Sequence, residues 1–143
     1  DSSRPAAVDR NQGYLKTRSN MAAKILIVDD EPNIVVPLEF LIEQHGYEVL
    51  VAQSGEESIE IIAKDKPALV LLDIMLPGID GYEVCEIIKL NSEWRDIKVI
   101  FLTAKGRSID IGKGMILGAD AYITKPFSND EIIRHIKELL VNA

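Results

Sequence analysis

Three aspartates, one threonine and one lysine are the residues of this chain whose types and placement could do chemistry together. Asp29 and Asp30 follow directly on the apolar run Ile25-Leu26-Ile27-Val28, with Glu31 behind them. Asp73 ends the run LVLLD, Thr103 lies in FLTA, and Lys125 closes YITK. A short β-branched run reads as a buried strand. Adjacent carboxylates at its end are costly: two like charges about 4 Å apart, at an effective dielectric near 20, repel by roughly 4 kcal/mol. Clustered carboxylates suit a hard divalent cation, and Mg²⁺ takes one or two of them together with waters and phosphate oxygens. Lys125 adds a second positive charge and Thr103 a hydroxyl. A divalent metal, an ammonium and a hydroxyl suit a phosphoryl group. No base-activated Ser or Cys is evident, and neither His45 nor His135 belongs to the set. The plausible nucleophile is then a carboxylate, and aspartyl phosphates are a known kind of covalent intermediate.

Those side chains meet only if the fold brings their strand ends to one rim. KILIVDD reads as strand 1 and NIVVPLEFLIEQHGY as helix 1, with Ile34, Val35, Leu38, Leu41 and Ile42 on one face. Gly46 is placed to end that helix in a left-handed conformation. Pro37 is expected to kink the first turns or delay the regular helix. Strand 2 is Glu48–Ala52, and SGEE at 54–57 reads as a capping box opening helix 2. Pro67–Asp73 is strand 3, apolar throughout and so covered on both faces. LPGIDG is a loop, Tyr82–Leu90 helix 3 and Lys98–Ala104 strand 4. Ser108–Leu117 is a weak helix 4 carrying Gly112 and Gly114, each costing up to ~1 kcal/mol of helix propensity. AYITKPF holds strand 5. SNDE at 128–131 opens helix 5, whose apolar face is Ile132, Ile133, Ile136, Leu139 and Leu140. Five β–α units predict an α/β fold, a doubly wound parallel sheet with strands 1, 3 and 4 central. Strand order 2-1-3-4-5, a known doubly wound arrangement, fits, and such sheets bind ligands beyond the carboxyl ends of their strands.

The chain has 143 residues, enough for one domain with a real core. Residues 1–20 carry four basic and two acidic side chains and no apolar periodicity. They read as a vector-derived leader or a disordered extension, leaving 21–143 as the domain. The overall net charge is −7, so the body after residue 20 carries −9. An acidic body argues against direct nucleic-acid binding, because phosphate contacts need Lys and Arg. No apolar run reaches membrane-span length and no secretory signal is present. Cys85 is the single cysteine, so no internal disulfide forms; a cytoplasmic setting is the simplest expectation.

From Lys24 to Leu140 the chain resembles the receiver domain of two-component response regulators. The marks are VDDEP after strand 1, LLDIMLPGIDG around Asp73, FLTA around Thr103 and GADAYITKPF around Lys125. Asp73 and Thr103 are 30 positions apart and Thr103 and Lys125 are 22 apart, as is habitual in that family. The resemblance implies a flavodoxin-like receiver fold and a set of roles. Asp73 would accept a phosphoryl group from a histidine kinase, a phosphotransfer protein or a small phosphodonor. Asp30 and Asp73 would bind Mg²⁺ with the backbone carbonyl of Met75, and Asp29 mostly through water. Lys125 would pair with the phosphate, Thr103 would hydrogen-bond it, and Tyr122 would swing inward behind Thr103. The Lys125–Pro126 bond would be cis. The switched output would be the helix 4–strand 5–helix 5 surface, which also suits homodimerisation. Met75 and Lys105 would tune hydrolysis of the phosphoryl state. The chain's end at Ala143 fits either a stand-alone receiver or a cut before an output domain.

Blander roles stand beside these. Asp29 could cap helix 1. Lone Asp, Thr and Lys residues at such places are ordinarily turn, strand or surface residues, and Tyr122 could be a core aromatic. Met75 and Leu76 read as loop packing, Trp94 as a packing anchor, Cys85 as a buried helix residue, and both histidines as solvated or capping groups near helix ends. GRSIDIGKGM fails as a nucleotide loop: five residues separate Gly106 from Gly112, and Gly114 stands where a metal-binding Ser or Thr belongs. An aspartate-nucleophile phosphatase would want a second acid at Met75. A phosphorylation-independent interaction module would not need the intact acid set. A flavin phosphate would be repelled by Asp29-Asp30-Glu31.

Overall fold

The structure is a computed structural model that describes residues 22–104 and 108–141; the side chains of 108–111 lie outside that description. The readings on residues 1–20 and on Lys105 therefore fall outside the described residues. Among the described residues, five strands and five helices alternate. They are β1 (Lys24–Val28), α1 (Pro32–Gln44), β2 (Glu48–Ala52), α2 (Gly55–Asp65) and β3 (Leu69–Asp73). There follow α3 (Gly81–Leu90), β4 (Lys98–Ala104), α4 (Ser108–Ile116), β5 (Ala121–Lys125) and α5 (Asn129–Leu140). The strands form one parallel sheet in the order β2-β1-β3-β4-β5. The three purest apolar runs are indeed central, and every carboxyl end lies on one rim.

Alternation along each strand divides the core in two. Leu26, Val28, Val70, Leu72, Val99 and Phe101 face α2 and α3, packing with Ile62, Val84, Cys85 and Ile88. Ile25, Ile27, Leu69, Leu71, Ile100 and Leu102 face α1 and α5, packing with Leu38, Leu41, Ile42, Ile132 and Ile136. A fully buried side chain of this size contributes roughly 1.5–3 kcal/mol relative to exposure, so these two layers hold the rim in place.

Local differences from the sequence reading have physical reasons. α1 begins at Pro32, where a missing N–H costs nothing, and runs through Pro37 without delay. Ile34 is only half-buried. Asp29 does not cap the helix in the usual way; Glu31 is the N-cap, and Asp29 Oδ1 accepts the Glu31 N–H at 2.9 Å. Gly46 follows the helix end with φ +92°, as expected, and the His45 ring hydrogen-bonds the Leu41 carbonyl through Nδ1 at 3.0 Å. His135 sits in the middle of α5 and not near an end. β3 begins at Leu69, after Pro67 has removed a ladder donor. Ser54 caps α2 through the Glu57 N–H, but Glu57 reaches back to the Gln53 N–H and not to Ser54. The complete reciprocal box is instead Asp80 with Glu83, which opens α3 one residue earlier than read. Met75 is 66% exposed and lies outside the core layers, whereas Leu76 and Trp94 lie against the first.

Candidate functional site

The rim residues converge because each parallel strand delivers its last residues to the same side of the sheet. Asp29 follows β1, Asp73 ends β3, Thr103 is the penultimate residue of β4, and Lys125 ends β5. Register places Asp73 beside Leu102 and Thr103 beside Thr124, so Thr103 stands one step outward from the last pair of β3. Asp29, Asp73 and Thr103 are buried, while Asp30 is exposed into solvent. A cleft of about 470 Å³ opens over them, lined by Asp30, Glu31, Asp73, Ile74, Met75, Thr103, Ala104 and Lys125.

Lys125 is the electrostatic centre. Its Nζ donates to Asp29 Oδ2 at 3.3 Å and to Glu31 Oε1 at 3.4 Å, and lies 3.6 Å from Asp73 Oδ2. Burial works against its charge, but the carboxylates of Asp73, Asp29 and Glu31 outweigh that and raise its pKa. Asp73 is pushed up to about 6, chiefly by burial. Lys125 opposes the shift, Asp29 adds to it, the Met75 N–H bond opposes it, and Glu31 adds a little. That N–H reaches Asp73 Oδ1 at 3.3 Å.

The donor set suits a hard cation. Asp29, Asp30 and Asp73 each offer a carboxylate oxygen, all within 4.8 Å of one another, and an all-oxygen, anionic, half-open group is what Mg²⁺ prefers. One ammonium among four carboxylates, counting Glu31, leaves an excess of negative charge for such an ion to neutralise. Glu31 is the residue that sequence reading passed over as a site member. Its only signal was its place directly after Asp29-Asp30.

Tyr122 is half-buried on β5, its ring centroid 5.3 Å from that of Phe101. It packs on Gly114 of α4 so closely that a Cβ there would meet its hydroxyl. Phe101 in turn stacks at 5.6 Å on Tyr82, over whose face the Lys113 ammonium lies at 4.4 Å. The Lys125–Pro126 peptide bond is cis.

The chain and its architecture match known proteins. A family model for the response regulator receiver domain covers residues 25–137. Among solved structures, a candidate response regulator from Chloroflexus aurantiacus is 35% identical, with a TM-score of 0.82 over 85% of this chain and 99% of that one. The receiver domain of a signal transduction histidine kinase from Syntrophus aciditrophicus is 33% identical, with a TM-score of 0.80 over 85% and 92%. The receiver domain of DrrB, in a BeF3-activated form, is also 33% identical, with a TM-score of 0.77 over 85% and 100%. A parallel 2-1-3-4-5 sheet, an acid cluster with a lysine at its rim and a family match across the folded body lead to one conclusion: the chain belongs to the response regulator receiver domain family.

Proposed function

We propose that this domain is a Mg²⁺-dependent phosphoacceptor switch in which Asp73 takes a phosphoryl group from a histidine kinase, a phosphotransfer protein or a small phosphodonor. The observation that carries the reading is the lysine bridge: Lys125 Nζ lies within 3.6 Å of carboxylates from Asp29, Glu31 and Asp73 at once. Asp30, Asp73 and the Met75 carbonyl, with Asp29 through water, would hold Mg²⁺, which when bound supplies positive charge against the phosphoryl oxygens. An Asp73 carboxylate oxygen forms the new bond to phosphorus, and the donor's bond to phosphorus breaks, its electron pair leaving with the imidazole or acetate. Lys125 then exchanges a carboxylate partner for a phosphoryl oxygen, and the Thr103 hydroxyl donates to another.

Phosphorylation adds roughly −1.5 to −2 charges at the rim. Thr103 is drawn toward it, Tyr122 moves inward behind, and α4 re-seats on the Phe101–Tyr122 pair. The readout is a population shift on the α4–β5–α5 surface, where Met115 and Ile116 are exposed. That surface suits an output domain, a partner protein or a second copy. The functional unit is residues 21–143, regulatory in character, catalysing its own phosphotransfer and its own dephosphorylation. A receiver of this kind would work in the cytoplasm; no helix among the described residues is long and apolar enough to cross a membrane.

Intact mass spectrometry tests the reading. Acetyl phosphate with Mg²⁺ should add one phosphoryl group; EDTA or Asp73→Asn should abolish it. Beryllofluoride, named in the state of the DrrB relative, should bind under the same Mg²⁺ requirement. No adduct and no beryllofluoride binding would favour a module that signals without phosphate.

A further inference from the structure

The loop after Asp73, residues 74–80, carries Met75 and is held at a few points. Gly81 N–H donates to the Ile74 carbonyl at 2.9 Å, and Met75 N–H to Asp73 Oδ1 at 3.3 Å. A further bond comes from another element: Ile79 N–H donates to Glu56 Oε2 at 3.2 Å, across 23 positions of sequence. Glu56 stands in the first turn of α2, where the helix N-terminus favours a carboxylate.

Two glycines record how tightly α2 docks on this loop. Gly78 has φ +73°, and a Cβ on it would come within 2.6 Å of Glu56 Oε1 and 2.8 Å of its Cδ. A Cβ on Gly55 would meet the Ile79 carbonyl oxygen and Cγ1, both at 2.5 Å. A third, Gly81, lies against the Asp73 carbonyl, so the start of α3 closes the loop from its other end. The stretch from Asp73 to Ile79 is thus clamped between two helix starts, with the Glu56 carboxylate as the clamp's hydrogen-bonding group. Met75, near the start of the loop, is 66% exposed, so side-chain burial does little to fix it.

We infer that Glu56 is a positioning residue for the acceptor loop: by holding the Ile79 N–H against the Gly78 turn, it sets where the Asp73 carboxylate and the Met75 carbonyl stand for cation binding. The inference rests on the Mg²⁺-dependent reading above. Groups behind a metal's own ligands commonly change affinity by about ten-fold or more when removed.

The test is Mg²⁺ titration of the folded domain by calorimetry, without phosphodonor, on wild type, Glu56→Ala, Glu56→Gln and Gly78→Ala. Amide hydrogen exchange at Ile79 in EDTA and a thermal melt accompany each. Glu56→Ala should raise the Mg²⁺ Kd roughly ten-fold and speed Ile79 exchange. Glu56→Gln keeps an acceptor oxygen and should restore most of both. Gly78→Ala, whose methyl would displace the Glu56 carboxylate, should weaken Mg²⁺ as well, and it decides the matter if Glu56→Ala does not fold. A Kd within two-fold of wild type in these variants, with only the melting temperature lowered, would leave Glu56 a merely structural residue and overturn the inference. Wild type that binds no Mg²⁺ would overturn the metal-dependent function too, so the two failures are distinct.

Discussion

Replacing Asp73 by Asn should stabilise the metal-free domain even as it removes the proposed acceptor. The reason is the charge balance at the rim. At an effective dielectric near 20, the attraction of Lys125 at 3.6 Å is worth about 5 kcal/mol. The repulsion from Asp29, within 4.8 Å, is worth about 3 kcal/mol or more, and Glu31 adds to it. Burial of Asp73, the largest cause, tips the balance against the ionised form. The sum agrees in sign with a carboxyl pushed from 3.8 up to about 6, equivalent to about 3 kcal/mol against the ionised form.

The pH dependence follows from that direction. A carboxyl whose folded pKa is raised holds its proton better in the native state, so its contribution is full below pH 4 and is lost as pH climbs through about 6. At pH 7.5 in EDTA, wild type bears the cost of ionising this buried carboxyl, whereas Asn, neutral at every pH like the protonated acid, bears none. The variant should be more stable by about 1–3 kcal/mol, or roughly 4–12 °C in Tm for a domain of this size. At pH 4 the two should nearly coincide. Saturating Mg²⁺ should reverse the order at pH 7.5, because wild type gains about 2.7 kcal/mol at a hundred times Kd and the variant, short of one carboxylate, gains less. Calorimetric scans at both pH values, with and without Mg²⁺, measure all four corners. An Asn variant equal to or weaker than wild type in EDTA at pH 7.5 would refute the charge argument.

Three further outcomes come from other parts of the molecule. Gly114→Ala should cost about 1–3 kcal/mol in chemical denaturation, because the new methyl meets Tyr122 and lies 2.8 Å from Phe101 Cε2. Asp120→Ala should cost about 2–3 kcal/mol, since Asp120 Oδ2 accepts both the Val99 N–H at 2.8 Å and Lys89 Nζ at 3.2 Å; Asp120→Asn keeps an acceptor and should cost less. The Cys85 thiol, fully buried and pushed up to about 11, should react with Ellman's reagent only as the protein unfolds, and stability should fall as pH rises from about 9 through 11.

The fold was legible because its strands carry their own signal. LVLLD reads as a two-faced strand wherever it stands, and five such runs separated by helical patterns leave few ways to arrange a parallel sheet. The site was legible for a related reason. In a parallel sheet the last residue of every strand points to one rim, so residue identity at four strand ends is nearly a contact list. That logic stops where loops begin. Glu31 reaches Lys125 across 94 positions, and Glu56 reaches Ile79 across 23, through turns whose paths depend on Pro32, Gly78 and the start of α2. Asp80 with Glu83 was an intermediate case: its Asp-x-x-Glu spacing is local and readable, yet a reading that began the helix at Tyr82 hid the cap two residues earlier. The boundary between what is legible and what is not therefore follows geometry. Periodic elements place their ends by counting residues, and the side chains that reach this rim and its loop from outside sit one turn away from where counting works.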